Sequence, residues 1–282
     1  MALTLEVEAK MLTIKKYTPH IGAVISGVDF SQPIDAQTQD AIYQALLDNL
    51  VIFFRATELS PAAHMAFASG FGTLDAPHPL YPHVDGYDRI MKLENDSGAP
   101  PDTNSWHTDL TFKRDQPFAS ILVARTVPPV GGDTLWSSNY AAYDRLSAGM
   151  KADLEGMQAV HDMGDFRNNF AASPDALNDG MARFGHAIRP LIGTHPVTRR
   201  KFLNFNEAFV THIIGVTTNE ATALKTYLAN HMNKPEDQMR WRWRAGDLAM
   251  WDNRVTMHYA VADYLPQYRC MNRITIVQDA RA

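Results

Sequence analysis

Leu248-Ala249-Met250-Trp251-Asp252-Asn253-Arg254-Val255-Thr256-Met257-His258-Tyr259-Ala260-Val261 holds two short apolar segments, 248–251 and 257–261, with a polar Asp-Asn-Arg cluster between them. Segments this short, bounded by turn-forming residues, are strands rather than helices. The pattern continues outward. Segments 90–93, 106–112, 120–124, 134–137, 202–205, 239–243 and 271–277 are apolar or alternating. Breaks such as Pro128-Pro129-Val130-Gly131-Gly132 and Ala245-Gly246-Asp247 separate them. Many short strands with frequent turns predict a mainly β chain with flanking helices, folded as a jelly roll.

The N-terminal part fits the same core. Residues 11–30 read as two short strands around a turn, and 50–54 as a buried strand. A helix is expected over 35–49, with Asp35 as its cap and Ile42, Leu46 and Leu47 on one face. Ser60-Pro61 opens a second helix over 60–71. Helices over 139–146 and 219–232 would cover the sheets from outside. Residues 166–189 are polar and weakly periodic, which marks them as a candidate lid or loop insertion. No repeat or Gly/Ser-rich linker divides the chain, so 1–282 is expected to be one domain.

Composition narrows the class of partner. Of 282 residues, 45% are hydrophobic and 20% charged, enough apolar content to bury a full core. The net charge of −5, with Lys and Arg scattered, supplies no basic stripe for nucleic acid. No stretch approaches the roughly 20 apolar residues of a membrane span, and the charged N-terminus has no signal-peptide pattern. The single Cys270 excludes an intramolecular disulfide and any cysteine-based metal cluster. A cytoplasmic protein with a small-molecule partner is expected, and a homo-oligomer, dimer or tetramer.

Eleven histidines offer ligands for a metal that prefers nitrogen and oxygen. In Asn104-Ser105-Trp106-His107-Thr108-Asp109-Leu110-Thr111-Phe112, read as a strand, His107 and Asp109 share a face. A third ligand would come from His258, which a jelly roll can bring across the sandwich. Two histidines and one carboxylate leave positions open on the metal, an arrangement that suits non-haem iron(II) with dioxygen and a co-substrate. By itself His-x-Asp is a common coincidence, and a surface hydrogen-bonded pair is its bland alternative.

Tyr268-Arg269-Cys270-Met271-Asn272-Arg273-Ile274-Thr275-Ile276-Val277 adds a second signal. On an unbroken strand Arg269 and Arg273 project to one face. Two inward guanidinium groups repel and lose hydration, so each needs an anion. Their planar forks match carboxylate or sulfonate. Two anionic small molecules beside one metal are expected: a co-substrate acid and a substrate acid.

These residues resemble the taurine dioxygenase family of iron(II)- and 2-oxoglutarate-dependent dioxygenases. The resemblance rests on Trp106-His107-Thr108-Asp109, Gly131-Gly132-Asp133-Thr134-Leu135-Trp136, Trp241-Arg242-Trp243 and Trp251-Asp252-Asn253-Arg254. It extends to Thr194-His195-Pro196-Val197, Asn206-Glu207-Ala208-Phe209 and Ala262-Asp263-Tyr264-Leu265-Pro266-Gln267, and so covers nearly the whole chain. It implies a double-stranded β-helix and dioxygen, Fe(II) and 2-oxoglutarate as reactants and cofactor. It further implies His107, Asp109 and His258 as iron ligands, and Thr134 and Arg269 as the grip on the far carboxylate of 2-oxoglutarate. His78 and Arg273 fall on the substrate-sulfonate pair, and Tyr81, Phe166 and Phe209 on the substrate-pocket wall. Where the family carries an asparagine near the substrate, this chain has Thr103, and 161–195 departs from the family pattern.

The implied reaction is hydroxylation of taurine or a related alkylsulfonate next to sulfur, releasing sulfite and an aldehyde with succinate and carbon dioxide. A sibling acting on an alkyl sulfate, an aryloxyalkanoate or another small acid is the alternative. A zinc hydrolase would leave the two arginines unexplained. A non-catalytic acid sensor would not need an intact ligand set. Cys270, His83, His161, His195 and His212 read as structural, the tryptophans as core, and Gly131-Gly132 as a strand turn.

Overall fold

The computed structural model describes residues 12–101, 104–170 and 172–282. Its centre is a nine-stranded sheet. The order along it is Thr13–Lys16, Ala23–Ser26, Val51–Phe54, Leu248–Asp252, Ala119–Thr126, Arg269–Asp279, Tyr87–Asn95 and His83–Val84, with Gly72–Leu74 also paired to Arg269–Asp279. A three-stranded sheet, Gln238–Trp241, Thr134–Ser138 and Thr256–Ala260, faces it. Strands 248–252 and 256–260 are adjacent in sequence but lie in opposite sheets, so the turn between them crosses the sandwich. The expected mainly β jelly roll with flanking helices is what forms.

Two cores follow from strand alternation. On one side, Ile52, Phe54, Ile121, Val123, Ile274 and Ile276 pack against the helices Ala36–Asn49 and Pro61–Ser69 through Ile42, Leu46 and Phe67. Between the sheets, Phe53, Leu122, Ala124, Trp251 and Met271 meet Trp136 and Trp241. Phe53 stacks on Trp241 with ring centroids 4.0 Å apart. Both helices start where expected, as Asp35 and Ser60 accept the backbone N–H groups of Thr38 and Ala63. The helix Thr218–Met232 opens with a capping box between Thr217 and Glu220. Among the described residues, no helix is long and apolar enough to cross a membrane.

The 166–189 stretch is more regular than its sequence suggests. It contains part of a 3-10 turn (Gly164–Phe170), a helix (Pro174–Phe184) capped by Ser173, and most of the strand Ala187–Pro190. Leu177, Gly180, Met181 and Phe184 recur there at helical spacing, but the stripe is short and only Gly180 and Phe184 of that helix are buried.

Candidate active site

His258, on the Thr256–Ala260 strand, meets His107 in an isolated antiparallel bridge. Each backbone N–H donates to the other's carbonyl, at 3.0 and 2.8 Å. Directly opposed residues project their side chains to one side, and the imidazole centroids lie 4.1 Å apart.

The expected strand over 106–112 does not form. Beyond His107 the backbone turns through 109–112, with Leu110 at φ +51°. His107, Thr108, Asp109, Thr111 and Phe112 are all buried, so the residue pattern there does not report two strand faces. Asp109 is aimed instead by Asn253, whose Oδ1 accepts the Asp109 N–H and whose Nδ2 donates to the Asp109 carbonyl, each at 3.0 Å. The Thr108 hydroxyl donates to the Thr256 carbonyl at 2.8 Å.

Asp109 Oδ1 is 3.6 Å from His107 Nε2 and 3.7 Å from His258 Nε2, and the three ligating atoms lie within 4.8 Å of one another. Ligands at right angles on a metal, with bonds of about 2.1 Å, sit about 3 Å apart. A small contraction therefore closes this triad on a divalent ion. His107 Nδ1 lies 2.8 Å from the Ser105 carbonyl, which can only accept, so Nε2 presents its lone pair to the site. Burial drives His258 well below the usual imidazole range despite Asp109, keeping it neutral. Burial raises the Asp109 carboxyl, but Arg273, His258 and His107 together hold it well below its ordinary value.

A cavity of 180 Å³ opens beside the triad, with His78, Tyr81, Phe166, Phe209, Arg269 and Arg273 in its wall. Arg269 pairs across the sheet with Asn95 and Arg273 with Met91, so both guanidinium groups leave the same face, as expected. Their surroundings differ. Arg273 Nη2 bonds the Asp109 carboxylate, and also donates to Ser120 Oγ at 2.8 Å. Arg269 is 6% exposed, its Nε has no hydrogen-bond partner, and no carboxylate among the described residues pairs with it. Burial lowers its pKa, with Tyr264 and Asp133 opposing. Gly132 approaches closely at φ +69°, and a Cβ there would stand 3.3 Å from Arg269 Nε.

Thr134 is buried but does not line the cavity. Its Oγ1 accepts from Trp243 Nε1 at 2.9 Å, leaving the hydroxyl proton to donate elsewhere. Thr103 lies outside the described residues. His78 is half-buried, and its Nδ1 accepts the Leu80 N–H at 3.3 Å, so Nε2 carries the proton. Its ring is 4.8 Å from Tyr81 and 6.3 Å from Phe166. Phe166, Phe184 and Phe209 surround Phe112, tying the 166–189 stretch to the turn that bears Asp109.

Three neutral histidines give the fold an acid limit. Burial pushes His78 and His161 down to about 4 and His64 to about 3, with nearby arginines adding to each. Unfolding frees them to take up protons at their ordinary value of about 6.5. Between pH 6.5 and 4 the unfolded chain binds more protons, so stability falls as pH drops. The urea midpoint of the metal-free protein is expected to decline through that window, and His64→Leu to decline less steeply. An equal slope in the two proteins would remove His64 from this account.

The sequence model described as "Taurine catabolism dioxygenase TauD, TfdA family" matches residues 13–275. The chain belongs to this family. It is a 2-oxoglutarate-dependent dioxygenase, whose chemistry requires Fe(II), 2-oxoglutarate and dioxygen. An alkylsulfatase of Acinetobacter baylyi is 36% identical over 95% of this chain and 85% of its own length. An alpha-ketoglutarate-dependent sulfate ester dioxygenase of Pseudomonas putida is 36% identical over 98% of this chain and 92% of its own length. Among solved structures, a taurine dioxygenase from Burkholderia xenovorans superposes with a TM-score of 0.82. It is 35% identical and aligns over 95% of this chain and 90% of that one.

The dioxygenase's buried residues fit both groups: a triad of two imidazoles and a carboxylate for the metal, and a buried guanidinium with no ion-pair partner among the described residues for the keto acid. Sequence reading missed the residues that hold these in place, namely Asn253, Ser120, Trp243 and Tyr264. Asn253, Trp243 and Tyr264 stand inside the quoted motifs, but a motif alone does not say which atoms its residues touch.

Proposed function

We propose that His107, Asp109 and His258 hold the iron, and that Arg269 with Thr134 receives the far carboxylate of 2-oxoglutarate. The observation that carries this is the charge left in the cavity. Asp109 is the carboxylate set between Arg273 and the ligand histidines, and among the described residues no carboxylate forms an ion pair with Arg269. Adding a divalent ion leaves a threefold positive excess among iron, Asp109 and the two arginines. A 2-oxoglutarate dianion and one monoanionic substrate neutralise it.

Bound iron, 2-oxoglutarate and dioxygen supply the oxidising chemistry, with succinate and carbon dioxide as co-products. The chain supplies position. Arg273 and the Nε2–H of His78 seat the substrate oxyanion. Tyr81, Phe166 and Phe209 exclude water around the attached carbon and fix which C–H faces the metal. The 166–189 stretch serves as the lid.

The substrate is taurine or a related alkylsulfonate. Hydroxylation at the carbon bearing sulfur gives an adduct that collapses to an aldehyde and sulfite. A second reading, an alkyl sulfate, is favoured by the two sulfate ester relatives, and collapse then releases sulfate. A panel of sulfonates, sulfates and carboxylates separates them by which sulfur anion accompanies succinate. Succinate release with none of the panel would overturn both. We also propose a cytoplasmic enzyme that forms a dimer or tetramer; native mass by light scattering tests the assembly, and a monomer would overturn it.

Arg273→Ala is expected to raise the substrate KM about 30-fold or more, as loss of a charge-assisted bond of about 2 kcal/mol or more implies. Iron should still bind, because Asp109 keeps its carboxylate and loses a competing cation. Equal loss of iron and substrate binding would show that Arg273 serves the metal instead.

A further inference from the structure

Asp109 sits in a turn, so neither its N–H nor its carbonyl has a ladder partner, and both are buried. The Asn253 amide satisfies both, at 3.0 Å each, and its Nδ2 reaches the Pro117 carbonyl at 3.2 Å as well. Asn253 is 0% exposed, and its own N–H donates to the Phe118 carbonyl at 2.8 Å. It stands in the turn that leads into the strand carrying His258. One side chain thus joins the two distant segments that meet at the triad.

We infer that Asn253 is a positioning residue of the metal centre: its amide substitutes for a strand partner, fixes the Asp109 peptide, and so holds the carboxylate between the imidazoles and Arg273. The role needs a donor and an acceptor in one short side chain. Aspartate cannot donate to the two carbonyls, and serine is too short to span both sides of the peptide. The inference rests on the proposed ligand set and adds a residue that does not touch the metal.

The test is Co(II) binding to metal-free protein, followed by calorimetry and by the visible ligand-field spectrum. Asn253→Ala and Asn253→Ser are expected to weaken Co(II) binding 10- to 100-fold, the range for removing a group that orients a metal ligand. They should also alter the bound-ion spectrum. Arg145→Ala, which strips the buried Asp237 of its partner elsewhere in the fold, provides a control for destabilisation alone. It should lower the thermal midpoint and leave Co(II) affinity within twofold. If either Asn253 variant folds and binds Co(II) within twofold of the parent, the inference fails while the metal site stands. If the parent itself binds no Co(II), the ligand assignment fails and takes this inference with it.

Discussion

Asp109→Ala is expected to abolish 2-oxoglutarate turnover and metal binding, and also to destabilise the metal-free protein. The two losses have different causes. The first is removal of the only anionic ligand in the triad, which leaves two neutral imidazoles to hold a divalent ion. The second concerns Arg273, whose side chain is 14% exposed and whose carboxylate partner is Asp109. Deleting one member of a buried ion pair leaves the other charge desolvated, at a cost of about 3–5 kcal/mol. In a chain of this size that corresponds to a fall in the thermal midpoint on the order of 10 °C. Asp109→Asn keeps the volume and should lose metal binding just as completely, because the amide brings no charge. Scanning calorimetry without metal and titration with Fe(II) under argon read the two effects separately. Substantial turnover by either variant would take Asp109 out of the metal centre. An unchanged midpoint in Asp109→Ala would mean that Arg273 finds another anion.

Much of this site was legible before any coordinates, and the reason differs from part to part. The arginine pair was readable because Arg269 and Arg273 lie on a continuous strand, where a spacing of four fixes the face; the register with Asn95 and Met91 agrees. His107 and Asp109 were correctly paired but for an incomplete reason. They converge through one bridge to His258 and an amide from Asn253, not through strand alternation. Period-two reading assumes that one face is wet, and around 106–112 neither face is. The helix Pro174–Phe184 is hard to see for another cause: its apolar stripe, Leu177, Met181 and Phe184, is short and set among polar residues, and its buried contacts are Phe184 and Gly180 against the aromatic cluster. Side-chain bonds between distant segments, such as Trp243 to Thr134 or Arg273 to Ser120, leave no local pattern in the chain.

Arg269→Met should move stability and function in opposite directions, which sets it apart from Asp109→Ala. Arg269 is a buried cation with an unpartnered Nε; among the described residues no carboxylate forms an ion pair with it, and Tyr264 and then Asp133 favour its charge. Replacing such a charge by an apolar side chain of similar length is neutral or stabilising by about 1–4 kcal/mol. The metal-free variant should therefore melt no lower than the parent, and up to several degrees higher. Its use of 2-oxoglutarate should collapse, because truncating one partner of a buried charge pair costs about 2–5 kcal/mol, roughly a 30- to 5000-fold rise in KM. Saturating 2-oxoglutarate should raise the midpoint of the metal-loaded parent, as ligand linkage requires, and leave the variant's unmoved. A structural arginine predicts the reverse order: a lower midpoint and an intact response to the keto acid. The sign of the stability change thus decides whether Arg269 is held in reserve for a ligand or serves the fold itself.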